Sequence, residues 1–244
     1  MEVSINGPKI LFTLPFFGGI NVTESIVHTW IVMAIIAFVC WWLTRDLSID
    51  NPGRKQIIAE KLVTMTQSLV DSNMGEKWRD YVPYIGTILA FSFLCSVMSI
   101  AGLRSPTADF SVTLAMALVT FVLIEYNYFK HKGFIGFFKR LTEPVIVMTP
   151  MNIISEVATP LSLSLRHFGN IASGAVITAL VYGALAVLSK VILGWIPNTF
   201  IANIPIAQIG IPAILSLYFD LFSSAIQAYI FCMLTMANIA GTAD

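Results

Sequence analysis

The sequence predicts an all-α polytopic membrane protein with about five membrane-crossing helices. The last two form a long, strongly inclined hairpin, and amphipathic or interfacial helices lie beside the bundle. Three observations carry this reading. Hydrophobic residues make up 57% of the 244-residue chain and charged residues only 11%, against about 25% charged in soluble domains. Uncharged runs of spanning length recur, and about 20 apolar residues suffice to cross a hydrocarbon core of roughly 30 Å. Lys and Arg also crowd into alternate connections, which is the pattern of the positive-inside bias.

The chain reads as one membrane domain, 1–244. Residues 1–25 form an outer N-terminal segment with turn signals at Gly7-Pro8 and Gly18-Gly19. They lack the basic stretch, apolar core and small-residue cleavage site of a removable signal. The first helix is 26–43. His28 near its start is read as interfacial, with an ion-path role as the other reading, and Trp41 and Trp42 fall where an aromatic belt lies. Residues 45–80 are the cytoplasmic amphipathic segment. Pro52 suits a first helical turn. Ile57, Leu62, Met65 and Leu69 recur at helical spacing, either on a membrane or partner surface or on a solvated connecting helix. The second and third helices occupy 81–129. A polar turn, Arg104 to Asp109, separates them, and Lys130-His131-Lys132-Gly133 ends the third. The stretch 130–160 is expected to be interfacial and broken, because Pro144, Pro150 and Pro160 interrupt it.

The hairpin occupies 161–240, as Leu161–Trp195 and Ile206–Ala240 with a kink expected at Pro212. A 35-residue helix reaches about 52 Å, well beyond the hydrocarbon core, so it must tilt, bend or break. Arg45, Arg54, Lys55, Lys61, Lys77 and Arg79 follow the first helix, and Lys130, Lys132, Lys139 and Arg140 follow the third. Together they are ten of the 14 basic residues. They mark the cytoplasmic side, so the N-terminus is expected outside and the C-terminus in the cytoplasm. Cys40, Cys95 and Cys232 sit in separate apolar stretches and read as small apolar fillers.

One stretch stands out. Arg166 lies in a very apolar run whose nearest charges are Glu156 and Lys190. A guanidinium does not discharge by losing its proton. At bilayer depth it costs about 2.5–3.5 kcal/mol on insertion scales. Ser162, Arg166, Asn170 and Ser173 fall at i, i+4, i+8 and i+11, one helical face. Ser216, Asp220, Ser223, Ser224 and Gln227 share a face of the last helix. Glu125 and Glu156 supply carboxylates nearer the cytoplasmic side. A static reading exists beside the functional one: Arg166 and Asp220 as a buried ion pair, with the serines and Asn170 as interhelical glue.

Net charge is zero, so no attraction to nucleic acid is implied. No phosphate-binding glycine loop, metal-ligand spacing or hydrolytic triad is present in the sequence. No cofactor or metal is implied, and the chemistry is movement of charge. Two readings remain at this point: a secondary transporter whose Arg166 binds an anionic substrate, and a structural scaffold. A transporter more often shows paired broken helices in inverted repeats, and no matching half is visible.

Leu163-Ser164-Leu165-Arg166-His167-Phe168-Gly169-Asn170 resembles the arginine motif of subunit a of F-type ATP synthases. Pro106-Thr107-Ala108-Asp109, Val112–Leu118 and Gln227-Ala228-Tyr229-Ile230-Phe231 resemble its turn, third-helix and last-helix motifs. The likeness runs from about residue 80 onward in the family's order. It implies a membrane subunit, not catalytic by itself, in the bacterial inner (plasma) membrane. Its partners would be the c-subunit ring, the subunit b peripheral stalk, the rest of the synthase, membrane lipid and the translocated H+ or Na+. Arg166 matches the arginine that faces the ring carboxylate and separates two half-channels. Gln227 matches the polar residue supporting it, and Asn170 the asparagine beside the ion path. Glu156 matches an acidic residue approaching the arginine. Departures are Ala175 where an acid is common, Asp220 where a histidine is common, and His167 where leucine is common. Asp220 is expected to be the ionisable group of the outer half-channel, and His167 a packing variant. Ser162, Ser173, Ser223, Ser224, Glu125 and His167 are the remaining candidates for lining the path; Glu125 fits an interfacial role equally well.

Overall fold

The structure, a computed structural model, describes residues 9–15, 20–45, 47–49, 52–100, 103–143, 145–193, 214–215 and 217–242. A small antiparallel hairpin opens it, β1 (Ile10–Leu14) and β2 (Ile20–Thr23), with Phe12 opposite Val22 and Thr13 opposite Asn21. The outer N-terminal segment thus holds strands that the sequence reading did not assign. β-Branched and aromatic residues at these positions favour the pleat. The helices come next: α1 (Glu24–Thr44), α2 (Arg54–Met74), α3 (Val82–Ile100), α4 (Phe110–Thr142), α5 (Thr149–Leu193) and α6 (Ser224–Ala240). Short 3-10 turns at Glu76–Tyr81, Pro106–Ala108 and Ile146–Met148 precede α3, α4 and α5, and a π-helical segment, Leu217–Ser223, leads into α6. Among the described residues five helical stretches are long and apolar enough to cross a membrane. This is the expected all-α polytopic architecture.

The core forms where α2, α3, α4 and α6 converge, around Val70, Trp78, Ile85, Ile124, Phe231 and Met236. The end of α2 belongs to it, with Val70 and Met74 buried, whereas Ile57, Ile58, Leu62 and Met65 near its start stay exposed. The amphipathic segment is therefore docked at one end and open at the other. Arg79 clamps the docked end: its Nε donates to Asp71 Oδ1 at 3.0 Å and its Nη2 to Oδ2 at 2.9 Å. Those bonds hold the Asp71 carboxyl below its ordinary range. A depressed carboxylate stabilises the fold above its unfolded pKa of about 4, and that contribution disappears as pH falls further.

Polar links join the helices elsewhere. Tyr84 Oη and Thr120 Oγ1 lie 2.8 Å apart between α3 and α4, and the Asn127 amide donates to Tyr81 Oη. His28 Nδ1 lies 2.8 Å from the Arg104 carbonyl, which only accepts, so Nδ1 carries the proton. His28 ties α1 to the turn before α4. At the other end of α1, Trp41 and Trp42 are exposed, with Arg45 over the first ring at 5.3 Å and Lys55 over the second at 4.1 Å. This is the aromatic and basic collar expected at a membrane interface.

The third membrane helix stops at Lys130–Gly133, where the sequence reading ends it. Gly133, at φ 69° and ψ −178°, divides α4 into two helical pieces. That conformation is essentially reserved for glycine. The second piece turns back, so that Tyr128 Oη donates to the Gly136 carbonyl at 3.2 Å. It shows Phe134, Ile135 and Phe138 at its surface, in keeping with an interfacial position. One boundary differs from the sequence reading, at 145–160, where a broken or steeply inclined entry segment was expected. α5 instead runs unbroken for 45 residues with Pro160 inside it. Pro150 sits in the first turn, where no amide partner is required. Pro160 removes one amide from the ladder, which a membrane helix tolerates when neighbours support it. Pro144, and the hairpin turn with Pro212, lie outside the described residues. Forty-five residues span about 68 Å, so α5 cannot stand upright within a core of about 30 Å.

Gly133→Ala is expected to cost about 1–3 kcal/mol, because an alanine there is strained. The thermal midpoint of the purified protein should fall by several degrees. An unchanged midpoint would show that the backbone does not hold this conformation.

Candidate functional site

α5 is a helix with two unlike sides. Leu163, Ser164 and His167 are buried, while Ser162, Leu165, Arg166 and Ser173 are exposed. The buried side packs on α4 and α6. Thr113 Oγ1 and Ser164 Oγ lie 3.2 Å apart, and the His167 ring meets Phe231 edge-on at 5.8 Å. His167 is buried against Phe231, with its Nδ1 lacking a partner among the described residues. Arg166 lies on the side that the described residues leave uncovered. Among the described residues it makes no ion pair.

The expected polar face thus divides. Asn170 is half-buried and turns to the last helix, where Ser223 Oγ donates to its Oδ1 at 2.8 Å. Ser224 is buried and donates to the Phe219 carbonyl at 3.2 Å, a bond to the residue five earlier that belongs to the π-helical turn. Gln227 is buried. The two helices are antiparallel. Because Asn170 meets Ser223, the residue four before Asn170 and the residue four after Ser223 stand level, and these are Arg166 and Gln227. No hydrogen bond joins those two among the described residues. Asp220 lies in the π-helical segment, a turn from Ser223, but its side chain and all of Ser216 lie outside the described residues. Ala175, where an acid is common, is exposed.

The hairpin packs closely at this level. A Cβ on Gly174 would stand 3.1 Å from the Phe219 Cβ, so glycine is what lets the π-helical segment approach α5. On the other side of Arg166 the helices part. A cavity of about 350 Å³ opens there, lined by Ser155, Thr159, Ser162 and Arg166 of α5 and by Leu234 and Asn238 of α6.

Glu125 and Glu156, far apart in sequence, come together in space. Both accept from Arg140, at 2.9 Å and 2.6 Å. Sequence reasoning counted Arg140 only as a topology charge. Its pairing depends on the turn at Gly133, since on a straight helix Glu125 and Arg140 would be about 22 Å apart. The glycine after Lys130-His131-Lys132 was the available signal: it marks the end of one helix and also the return of the next.

These features define an integral membrane protein of the ion-transporting class, built around a charge inside a helical hairpin. Residues 26–240 match the family described as ATP synthase A chain. The chain is 33% identical to the sodium ion specific ATP synthase subunit a of Propionigenium modestum, over 98% of this chain and 86% of that protein. It is 31% identical to ATP synthase subunit a of Legionella pneumophila, over 92% and 88%, and 31% identical to ATP synthase subunit a 1 of Crocosphaera subtropica, over 91% and 87%. The chain belongs to the ATP synthase A chain family, as a multi-pass membrane subunit of the bacterial ATP synthase complex.

Gly174→Val should overpack the contact with Phe219 and cost about 1–3 kcal/mol. The expected result is a lower thermal midpoint of the purified complex. A midpoint equal to wild type would mean that the helices are not in close contact there.

Proposed function

We propose that this chain is the ion-translocating stator of the motor and that Arg166 faces the carboxylates of a rotating c-subunit ring. The observation that carries the reading is the position of Arg166. It is a permanent cation on the uncovered side of a long membrane helix, with no ion-pair partner among the described residues. A charge so placed is expensive unless a partner supplies the counter-charge. A ring carboxylate does so. Nearby, the guanidinium favours the ionised carboxylate and so drives release of the bound ion. It also repels a free cation that would otherwise cross from one side to the other.

The asymmetry around Arg166 supports two half-channels. The inner one uses the cavity lined by Ser155, Thr159, Ser162 and Asn238, with Glu156 beyond it. The outer one uses Asp220, with Asn170 and Ser223 beside it. Gln227, level with Arg166, backs the charge from α6. Ten basic residues on the side of α2 and the α4–α5 connection favour a cytoplasmic placement for that side, with the N-terminus outside and the C-terminus inside. The subunit b stalk and the remaining subunits complete the complex. The sodium specificity of the Propionigenium modestum relative makes Na+ a candidate beside H+. The chain itself carries no catalytic step.

Arg166→Ala, in a complex that still copurifies with its ring, should lose coupled ion transport by more than tenfold. Retained coupling would make the arginine structural and sink the mechanism. Asp220→Asn should reduce ion-driven ATP synthesis severalfold, read in reconstituted vesicles; normal synthesis would remove Asp220 from the path.

A further inference from the structure

We propose that Arg140 is a positioning residue of the inner half-channel, and that with Glu125 and Glu156 it sets how tightly that half-channel holds its cation. The inference rests on the proposed stator role of Arg166.

A single nitrogen makes the cluster. Arg140 Nη2 donates to Glu125 Oε1 and Oε2 at 2.9 and 3.1 Å and to Glu156 Oε1 at 2.6 Å. The guanidinium is fixed from the other side by the Tyr128 ring at 4.1 Å and the Phe137 ring at 5.4 Å. The backbone around it is fixed as well. Asn152 of α5 donates to the carbonyls of Leu141 and Glu143 at 2.9 and 2.8 Å, closing the end of α4. The three charged side chains are largely withdrawn from water, with 27%, 15% and 26% exposure for Arg140, Glu125 and Glu156.

The count of charges is the telling feature. One arginine faces two carboxylates, so with both ionised the cluster carries one negative charge in excess. A structural ion pair requires only one carboxylate, and a second, unneutralised charge in a partly desolvated place is costly. The excess is relieved when a cation visits. The location suits that role. Ser155, beside Glu156, and Thr159, one turn on, line the cavity that reaches Arg166. Among the described residues no other basic side chain pairs with either carboxylate, Lys130, His131 and Lys132 of α4 included. Lys139 and Glu143, on the same piece of α4, pair with each other at 3.3 Å and are mostly exposed. α6, packed on both α4 and α5, contributes no acidic or basic side chain. Arg166 lies ten residues along α5.

The test uses the whole complex in vesicles with the inner face outward, so that the transported cation, H+ or Na+, is set directly on that face during ATP-driven transport. Arg140→Gln leaves two carboxylates unopposed and should lower the half-saturating cation concentration by about tenfold. Glu125→Gln leaves Arg140 and Glu156 matched and should raise it by about tenfold. Dependence on the cation at the opposite face should stay at the wild-type value in both. Opposite shifts confined to one face are not expected of a merely structural pair. Shifts in the same direction, equal shifts at both faces, or no shift would overturn the proposal. If Arg140→Gln does not assemble with its ring, Glu125→Gln decides alone: a rise at the inner face supports the proposal and an unmoved value defeats it. The two readings fail separately. Coupled transport surviving Arg166→Ala removes the stator mechanism. Unmoved half-saturation in complexes where Arg166→Ala does abolish coupling removes only the role of Arg140.

Discussion

The constraint on which the rest of this structure depends is the cost of one permanent charge in a membrane. Arg166 cannot neutralise itself, and the helix that carries it leaves it on an uncovered side. Among the described residues no side chain pairs with that charge. The other side of α5 is filled by neutral contacts, Ser164 on Thr113 and His167 on Phe231. Asn170 turns away to Ser223. Gln227 stands level with the arginine but is buried among the helices. A hairpin built only for stability would have turned the arginine inward and paired it. This one pairs its amides and hydroxyls and leaves the cation facing outward.

Backbone devices place these side chains more than hydrophobic periodicity does. Gly174 allows Phe219 to approach α5, and the π-helical turn there adds a residue to the last helix before Ser223. Such turns shift the side-chain phase of the helix beyond them, and here the shift lets Ser223 reach Asn170. Gly133 has a comparable effect on the other side of the bundle. Its positive φ folds α4 back, and two carboxylates that sequence separates by a whole helix end on one guanidinium. Both devices act where polar groups must meet inside an apolar medium. There an interhelical hydrogen bond contributes only about 0.6 kcal/mol on average. Geometry, more than bond strength, makes these contacts specific.

The same devices decide what was legible in the sequence. Five spanning stretches, the polar turn at Pro106–Asp109 and the arginine motif stood out because length, charge and motif are local properties. The third helix was placed to within a few residues, whereas the first helix of the long last pair begins at Thr149, twelve residues before the Leu161 that the sequence suggested. The failures lie where a single residue has two structural uses. Gly133 after three polar residues reads as a terminus, and one helix does end there, but the same glycine also turns the next helix back, which the sequence does not reveal. Pro160 reads as a breaker, yet the membrane helix around it continues. The strands at Ile10–Leu14 and Ile20–Thr23 are too short for periodicity to reveal. The pairing of Arg140 was invisible because it depends on the Gly133 turn, and its charge had already found a sufficient explanation in topology. Division of the polar face on α5 was also invisible, since four residues at i, i+4, i+8 and i+11 span enough arc for its edges to meet different neighbours.

An arginine facing a partner's carboxylate bears on ion choice as well. Its field acts on charge alone, so it discourages any free monovalent cation from crossing and favours the ionised form of any carboxylate that passes. Neither effect distinguishes H+ from Na+. On the proposed reading, discrimination then belongs to the coordination shell around the ring carboxylate, where oxygen number and geometry separate a proton from a metal ion. The sodium ion specific relative and the two other relatives match this chain at about the same identity, 33% and 31%. On the proposed reading the stator supplies a barrier and a release charge, and both work for either ion.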